Sequence, residues 1–375
     1  MKLRIGDLFC GTGGFSHGFV QTGFFRVAFG LDIRRGSTET FSANHPGAIP
    51  ICDDIRNVKP SEVADRIGHS KLDVIIGGPP CQGFSSIRPF RSINENDQRN
   101  NLFEQFVLFT GFFEPQFVVL ENVVGMLRHD KGQTLKSIRE AIGALGYAVH
   151  VAVLNAVNYG VPQRRERVIV IGRKGKTIPI GPEPTHAFNG RSMAGNGVAV
   201  RPLPLFSQEL LPALTVWDAI YDLPPIDAGG ESTQYRNDVE LNDYVKARRG
   251  DCRVLTMHSS TRHTPRMIDI IRKAGANRWA LPSGLTTSGF SSCYSRLTIN
   301  EPSTTITVNF VHPASNRCIH PNQDRALTPR EGARLQGFDD SFAFRGSRTE
   351  MVKQIGEAVP PLLGRAIAES LLKQS

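Results

Sequence analysis

Apolar residues in this chain come in short, dense runs separated by polar or glycine-rich turns. Ile5 to Phe9, Val27 to Ile33, Ile51 to Ile55, Asp73 to Ile76, Phe117 to Leu120, Tyr147 to Leu154 and Val168 to Ile171 are brief and rich in β-branched or aromatic residues, which predicts strands. Between several of them the spacing is helical: Phe15 to Phe24, then Leu102, Phe103, Phe106, Val107 and Phe109, then Gly132 to Leu145. Strands alternating with helices predict an α/β protein. The first three strands each deliver polar groups where they end, at Cys10 to Gly14, at Asp32 and at Asp53-Asp54. That repetition predicts a doubly wound, mostly parallel sheet with its ligands at the carboxyl ends of the strands.

The pattern fades near Arg173 into Pro, Gly and Ser with weak periodicity to about residue 290, which predicts a second, smaller, loop-rich domain. The expected division is a first domain over 1–172, the loop-rich domain over 173–300 and a return segment over 301–375. Thr328-Pro329-Arg330-Glu331 has the form of a capped helix start, and a last helix, Leu362 to Lys373, is expected to pack back on the first domain. Charge sharpens the division. The chain has 375 residues and a net charge of +9, and residues 173 to 300 hold 16 Lys and Arg against 11 Asp and Glu, a surplus of five. A pI near 9.4 is consistent with a polyanionic partner. No apolar run approaches the roughly 18 residues of a membrane span. The N-terminal residues enter a strand without a signal-peptide core, so a cytoplasmic protein is expected. Six cysteines without a C-x-x-C pair argue against a zinc site or a disulfide framework.

The densest chemistry follows the strand at Asp73 to Ile76. Gly77-Gly78-Pro79-Pro80-Cys81-Gln82-Gly83-Phe84-Ser85 is a sharp, stiff turn: glycines permit unusual angles, prolines fix φ, and one thiol is framed at a strand end. Such a thiol reads as a nucleophile, although a free cysteine is often only a small buried hydrophobe. Cys10-Gly11-Thr12-Gly13-Gly14 is a glycine turn between strand and helix, suited to close approach of a ligand. The strand at Phe117 ends in Glu121-Asn122-Val123, at the edge that carries Cys81. Gln163-Arg164-Arg165-Glu166-Arg167 enters the last strand at that edge too, so at least one arginine is expected to point into the site. The polar stretch from Ile87 to Asp97 reads as a lid.

In this order the blocks resemble the cytosine-5 DNA methyltransferases, bacterial restriction-modification type, over nearly the whole chain. The resemblance implies an S-adenosylmethionine-dependent methyltransferase fold, Rossmann-like, with residues 173–300 as target-recognition domain. It implies Cys81, Glu121, Arg165 and Arg167 as catalytic residues, the two arginines holding the base's O2 and nearby backbone. For S-adenosyl-L-methionine it implies Phe9, Gly11, Thr12, Gly13, Gly14 and Phe15 in the first loop, Asp32 and Ile33 at the ribose, and Asp54 and Ile55 at the adenine. Pro79, Leu102, Glu357 and Ala358 complete that set. For double-stranded DNA it implies Gln82, Ser85 and Arg88, with Arg248, Arg249 and Arg262 from the basic domain. Arg330 to Phe338 resembles the block that follows the recognition domain.

Two positions depart from the family pattern. Glu357 replaces an asparagine expected against the methionine part of the cofactor, and Asp32 stands where glutamate is more frequent. Two other readings follow: a tRNA cytosine-5 methyltransferase, or a catalytically weakened DNA-binding relative. The family implies a monomer; a restriction endonuclease sharing the same DNA site is left open.

Overall fold

The computed structural model describes residues 2–80, 101–188, 190, 210–282, 284–286 and 291–375. Cys81, Gln82, Ser85 and Arg88, and the expected lid, lie outside the described residues.

A seven-stranded sheet runs in the order β3-β2-β1-β4-β5-β7-β6. Its strands are β1 Leu3–Leu8, β2 Phe25–Asp32, β3 Ile49–Cys52, β4 Val74–Gly77, β5 Phe117–Val123, β6 Tyr147–Asn155 and β7 Glu166–Lys174. The first five pair in parallel, and β7 runs antiparallel to both β5 and β6. The strand order reverses between β1 and β4, so the loops leaving these two strands open into one crevice, the usual ligand position of such sheets. The strand ends come close there: Leu8 pairs with Gly77, and a Cβ on Gly77 would lie 2.6 Å from the Leu8 carbonyl oxygen.

Both faces of the sheet are covered, which is why β4 reads as an unbroken apolar run. Ile75, Leu8 and Leu120 face a cluster with Phe103, Phe106 and Phe109 of helix α4 (Asn101–Phe113). Val74, Ile76 and Val119 face the other way, toward Phe15 and Phe19 of α1 (Gly14–Val20) and Leu363 and Ile367 of α11 (Pro361–Leu372). The expected last helix therefore exists and closes the chain on its own beginning. A Cβ on Gly18 would sit 2.0 Å from the Pro361 carbonyl oxygen, so α1 and α11 cross at glycine.

Several elements differ from expectation. Helix α1 stops at Val20 because Gly23, at φ +82, turns the chain into β2. The third strand ends at Cys52, since the Asp54 carboxylate accepts the Arg56 N–H and starts a 3-10 turn, Ile55–Asn57. Helix α2 (Arg35–Asn44) fills the β2 to β3 connection, and α3 (Pro60–Ile67) and α5 (Gln133–Ala144) precede β4 and β6.

Beyond β7 the chain forms a short pair, β8 His186–Ala187 with β9 Leu211–Pro212, and helices α6 Val216–Ile220, α7 Asp243–Arg249, α8 Pro265–Lys273, α9 Pro329–Leu335 and α10 Arg348–Glu357. One apolar cluster draws side chains from Val216 through Leu297, Phe310 and Leu335 to Ala358, so residues on both sides of 300 share a core. Inside this body Arg325, Arg330 and Arg334 are fully buried.

Candidate active site

The loop leaving β1 is held in an unusual shape. Phe9, Gly11 and Gly13 all take positive φ, at 58, 52 and 79 degrees. Gly13 has no room for a side chain, because a Cβ would lie 2.5 Å from His45 Nε2. That nitrogen lies 3.1 Å from the Gly13 carbonyl oxygen and 3.3 Å from Ser16 Oγ. Burial lowers the His45 pKa to about 4, so the ring is neutral and its Nε2–H donates to the carbonyl.

Asp32, at the end of β2, accepts the Gly11 N–H at 2.9 Å on one oxygen and the Arg34 N–H at 2.9 Å on the other. Each oxygen keeps a lone pair for a further donor. Ile33 beside it is 63% exposed, an apolar surface at the crevice. A Cβ on Gly11 would meet nothing within 4 Å, so the loop is open there, and Thr12 Oγ1 and Asp7 Oδ2 lie buried without a partner. Open left-handed backbone, a carboxylate with spare acceptor sites and an exposed apolar neighbour fit a nucleoside-bearing cofactor.

The second centre is at the ends of β5 and β7. Arg167 Nε lies 2.8 Å from Glu121 Oε1, with both side chains largely buried. The register sets Val123 opposite Arg167 and Ile169 opposite Glu121, so the pair forms on the diagonal of the antiparallel ladder. Glu121 Oε2 turns toward Gly78, where a Cβ would stand 3.4 Å away. The Asn122 amide donates to the Pro79 carbonyl at 3.0 Å, tying the turn that leads to Cys81 onto β5. Residues 78–80 thus run beside the acid.

The other expected site residues are divided between the interior and the rim of the first centre, where Glu357 lies by way of Arg34. Arg165 is 2% exposed and donates to the carbonyls of Ile306, Gly356 and Ala358 at 3.0, 3.2 and 2.9 Å. It clamps the return segment rather than a base, and burial together with Arg167's charge pushes its pKa down. Phe15 and Ile55, at 4% and 3% exposure, are core side chains, packed under the sheet rather than lining the crevice. Gly14 is buried, with its Cα side against Phe338 and the Val359 carbonyl. Asp54 is engaged by Arg56, and Leu102 is half-buried against the core. Glu357 pairs with Arg34, which also approaches Asp32 Oδ1 to 3.6 Å; Ala358 is buried beside it.

Of the arginines expected on DNA, Arg248 is interior: its guanidinium bonds the Gly337 carbonyl and Asp339, each at 3.0 Å. Arg249 is half-buried with its guanidinium 3.9 Å from the Tyr235 ring centroid, and Arg262 is exposed. Sequence reasoning missed Arg34 and His45, which lie in no motif, and Asn122, whose place in the Glu121 block could have flagged it. Among the described residues no group of His, Cys, Asp and Glu could hold a metal ion, and no helix is long and apolar enough to cross a membrane.

Known proteins resemble this chain over its whole length. The family model for C-5 cytosine-specific DNA methylase matches residues 3–373. Type II methyltransferase M1.HphI of Haemophilus parahaemolyticus is 35% identical over all of this chain and 88% of its own length. Type II methyltransferase M.AgeI of Thalassovita gelatinovora is 34% identical over 97% of this chain and 98% of its own. An E. coli prophage protein described as a DNA modification methyltransferase superposes over 99% of both chains with a TM-score of 0.75 and 25% identity. Spodoptera frugiperda DNMT2 matches over 99% of both chains at a TM-score of 0.61 and 16% identity, a likeness of fold alone. Matched from its first strand to its last helix, with both centres at one sheet edge, the chain belongs to the C-5 cytosine-specific DNA methylase family.

Proposed function

We propose that this DNA (cytosine-5)-methyltransferase acts on one short duplex sequence, through Cys81, with S-adenosyl-L-methionine as methyl donor, in a restriction-modification setting. The observation that carries the reading is the Glu121–Arg167 pair, set beside the Gly78 to Pro80 turn that leads into Cys81.

Carbon 5 of cytosine is a weak nucleophile, so the ring needs an electron pair delivered at C6. The Cys81 thiolate forms a bond to C6, and the displaced π electrons reach C5. Glu121 shares a proton with N3, which draws charge away from the ring as the thiolate adds. Arg167 holds one Glu121 oxygen and leaves Oε2 to face the base. S-adenosyl-L-methionine, when bound at Gly11 and Asp32, supplies an electrophilic methyl group. After C5 takes the methyl, a base removes the C5 proton and the C6–sulfur bond breaks, returning the thiolate. Stacked cytosine is out of reach of such a centre, so the base leaves the helix at a cost of a few kcal/mol.

The weakened-relative reading rested on Glu357, and its carboxylate is neutralised by Arg34 rather than left bare beside the cofactor site. Bisulfite sequencing of plasmid DNA from cells expressing the intact chain, against cells expressing Cys81→Ser, tests the proposal. Protected cytosines in one short context, seen only with the intact chain, are expected. Purified protein that transfers no methyl from S-adenosyl-L-methionine to that plasmid would overturn it.

A further inference from the structure

Trp279 is the most exposed large apolar side chain among the described residues, at 76%. The chain's other tryptophan, Trp217, lies against the Tyr221 ring with centroids 5.5 Å apart. An indole left to water forgoes a large burial, and exposed tryptophans concentrate at binding surfaces. The turn that carries Trp279 is rigid. It is the 3-10 turn Arg278–Ala280, where the Ala280 N–H donates to the Asn277 carbonyl at 3.1 Å and the Arg278 N–H to the Ser291 carbonyl at 3.0 Å. Arg278 Nε donates to Thr286 Oγ1 at 3.3 Å, and its guanidinium carbon lies 5.7 Å from the indole centroid. Before the turn, the Gly275 carbonyl accepts the Arg296 N–H at 2.8 Å and the Ala276 carbonyl accepts the Arg317 guanidinium. Three residues past Ser291, Tyr294 is held at φ +51, a strained value for a bulky side chain. A side chain exposed on so firmly held a turn is a presented one.

Charge and position both point to DNA. The stretch from Arg262 to Trp279 carries five basic residues and one acid, Asp269, so a polyanion is drawn to this part of the second body. A chain of contacts ties the turn to the active edge of the sheet. Arg317, which holds Ala276, also donates to the Arg296 carbonyl at 2.9 Å, and Asn316 beside it donates to the Thr307 hydroxyl. Ile306, next to Thr307, accepts Arg165 at 3.0 Å and donates to Gln163 Oε1 at 2.8 Å, in the block whose last arginine holds Glu121. Inside a duplex every base is covered above and below by its neighbours, so an indole finds no base face to stack on. Flipping the cytosine opens one gap, with a bare face on each side.

We propose that Trp279 enters that gap and stacks on the bases flanking the position the cytosine has left, which holds the duplex open while the cytosine lies at Cys81. Trp279 is then a positioning residue: it touches the DNA but not the reacting base. The inference rests on the base-flipping DNA methyltransferase reading and adds to it the residue that stabilises the flipped state.

Tryptophan emission reads the contact directly, because Trp279 is the only tryptophan left in Trp217→Phe. In that variant, emission is expected to be quenched by a duplex carrying the methylated context and to change far less with a mixed-sequence duplex, in which no base is flipped. Should Trp217→Phe unfold, the same quench is read as the difference between wild type and Trp279→Phe. A target duplex with 2-aminopurine in place of the cytosine should brighten with wild type as that base leaves the stack. Trp279→Ala is expected to lower the flipping equilibrium constant about tenfold, and Trp279→Phe to keep most of it, with affinity for the mixed-sequence duplex held within about twofold. Equal quenching by both duplexes, no quenching, or a full 2-aminopurine signal with Trp279→Ala would each overturn the wedge. A wild type that neither brightens the probe nor protects plasmid cytosines would instead overturn the parent reading.

Discussion

Arg34 and Glu357, 323 residues apart in the chain, form an ion pair at the rim of the cofactor crevice. The same Arg34 donates its backbone N–H to Asp32 and brings its guanidinium to 3.6 Å from that carboxylate. One cation therefore serves two acids, and both lie where the family resemblance puts the cofactor. Glu357→Asn restores the residue the family pattern expects and leaves Arg34 on Asp32, so cofactor affinity should change by no more than a few-fold. Arg34→Ala leaves two carboxylates facing each other, and affinity should drop about tenfold, near 1.4 kcal/mol. Calorimetry with S-adenosyl-L-methionine measures both; equal losses in the two variants would contradict this asymmetry.

Glu121 and Arg167 should separate chemistry from binding. Glu121→Gln keeps shape and hydrogen-bonding capacity but removes the shared proton, so single-turnover methyl transfer should slow by about 10² to 10⁴ while duplex affinity holds. Arg167→Ala leaves Glu121 without its 2.8 Å partner and should lower the same rate. Rapid-quench transfer assays alongside equilibrium DNA binding measure both quantities, and a rate unaffected by Glu121→Gln removes that residue from the chemistry.

The second body depends on charges in its interior. Glu331 takes a two-pronged contact from Arg325 at 2.8 and 2.7 Å, and Asp340 takes Arg334 at 2.6 Å on both of its oxygens. Burial alone would raise both acids, but their arginines win and hold them below the usual carboxylate range. An acid held down in the folded state contributes stability above its unfolded pKa and loses it as pH falls through the folded value. Denaturant melts should therefore weaken below about pH 4. Glu331→Gln strands a buried guanidinium and should cost about 3 to 5 kcal/mol at neutral pH.

Legibility in the sequence followed the range of the causes. The strands were readable because Val74-Ile75-Ile76 needs no partner to announce a strand buried on both faces. Glu121 and Arg167 were readable because each lies in a compact motif at a strand end. Helix α2 was not: Gly36, Ser37, Thr38 and Ser42 give it little periodicity, and it is held through Phe41 and Thr40, the latter bonded to Gln354. Arg248 looked like a DNA contact because it sits in a basic pair, and only the fold brings Gly337 and Asp339 to it. Arg165 and Arg167 are equal as letters, two residues apart. Their separate roles arise because the return segment offers carbonyls to one and β5 offers a carboxylate to the other.

Asp7 links the cofactor loop to pH. Its carboxyl is 1% exposed at the end of β1, and Oδ2 has no hydrogen-bond partner. Burial is the main cause that raises its pKa to about 7, Asp32's charge adds to it, and bonds from Ser16 only partly offset both. A folded value above the unfolded one means the native state binds the extra proton. Its contribution is full below about pH 4 and is lost as pH rises through 7. Wild-type stability should thus decline across that window relative to Asp7→Asn, by up to roughly 4 kcal/mol. The asparagine variant, which cannot ionise, should be the more stable protein at pH 8. Urea melts of both proteins at pH 5 and pH 8 decide the matter. Parallel curves would mean that Asp7 is ionised throughout, and that the loop at Gly11 to Gly13 is built around a buried anion.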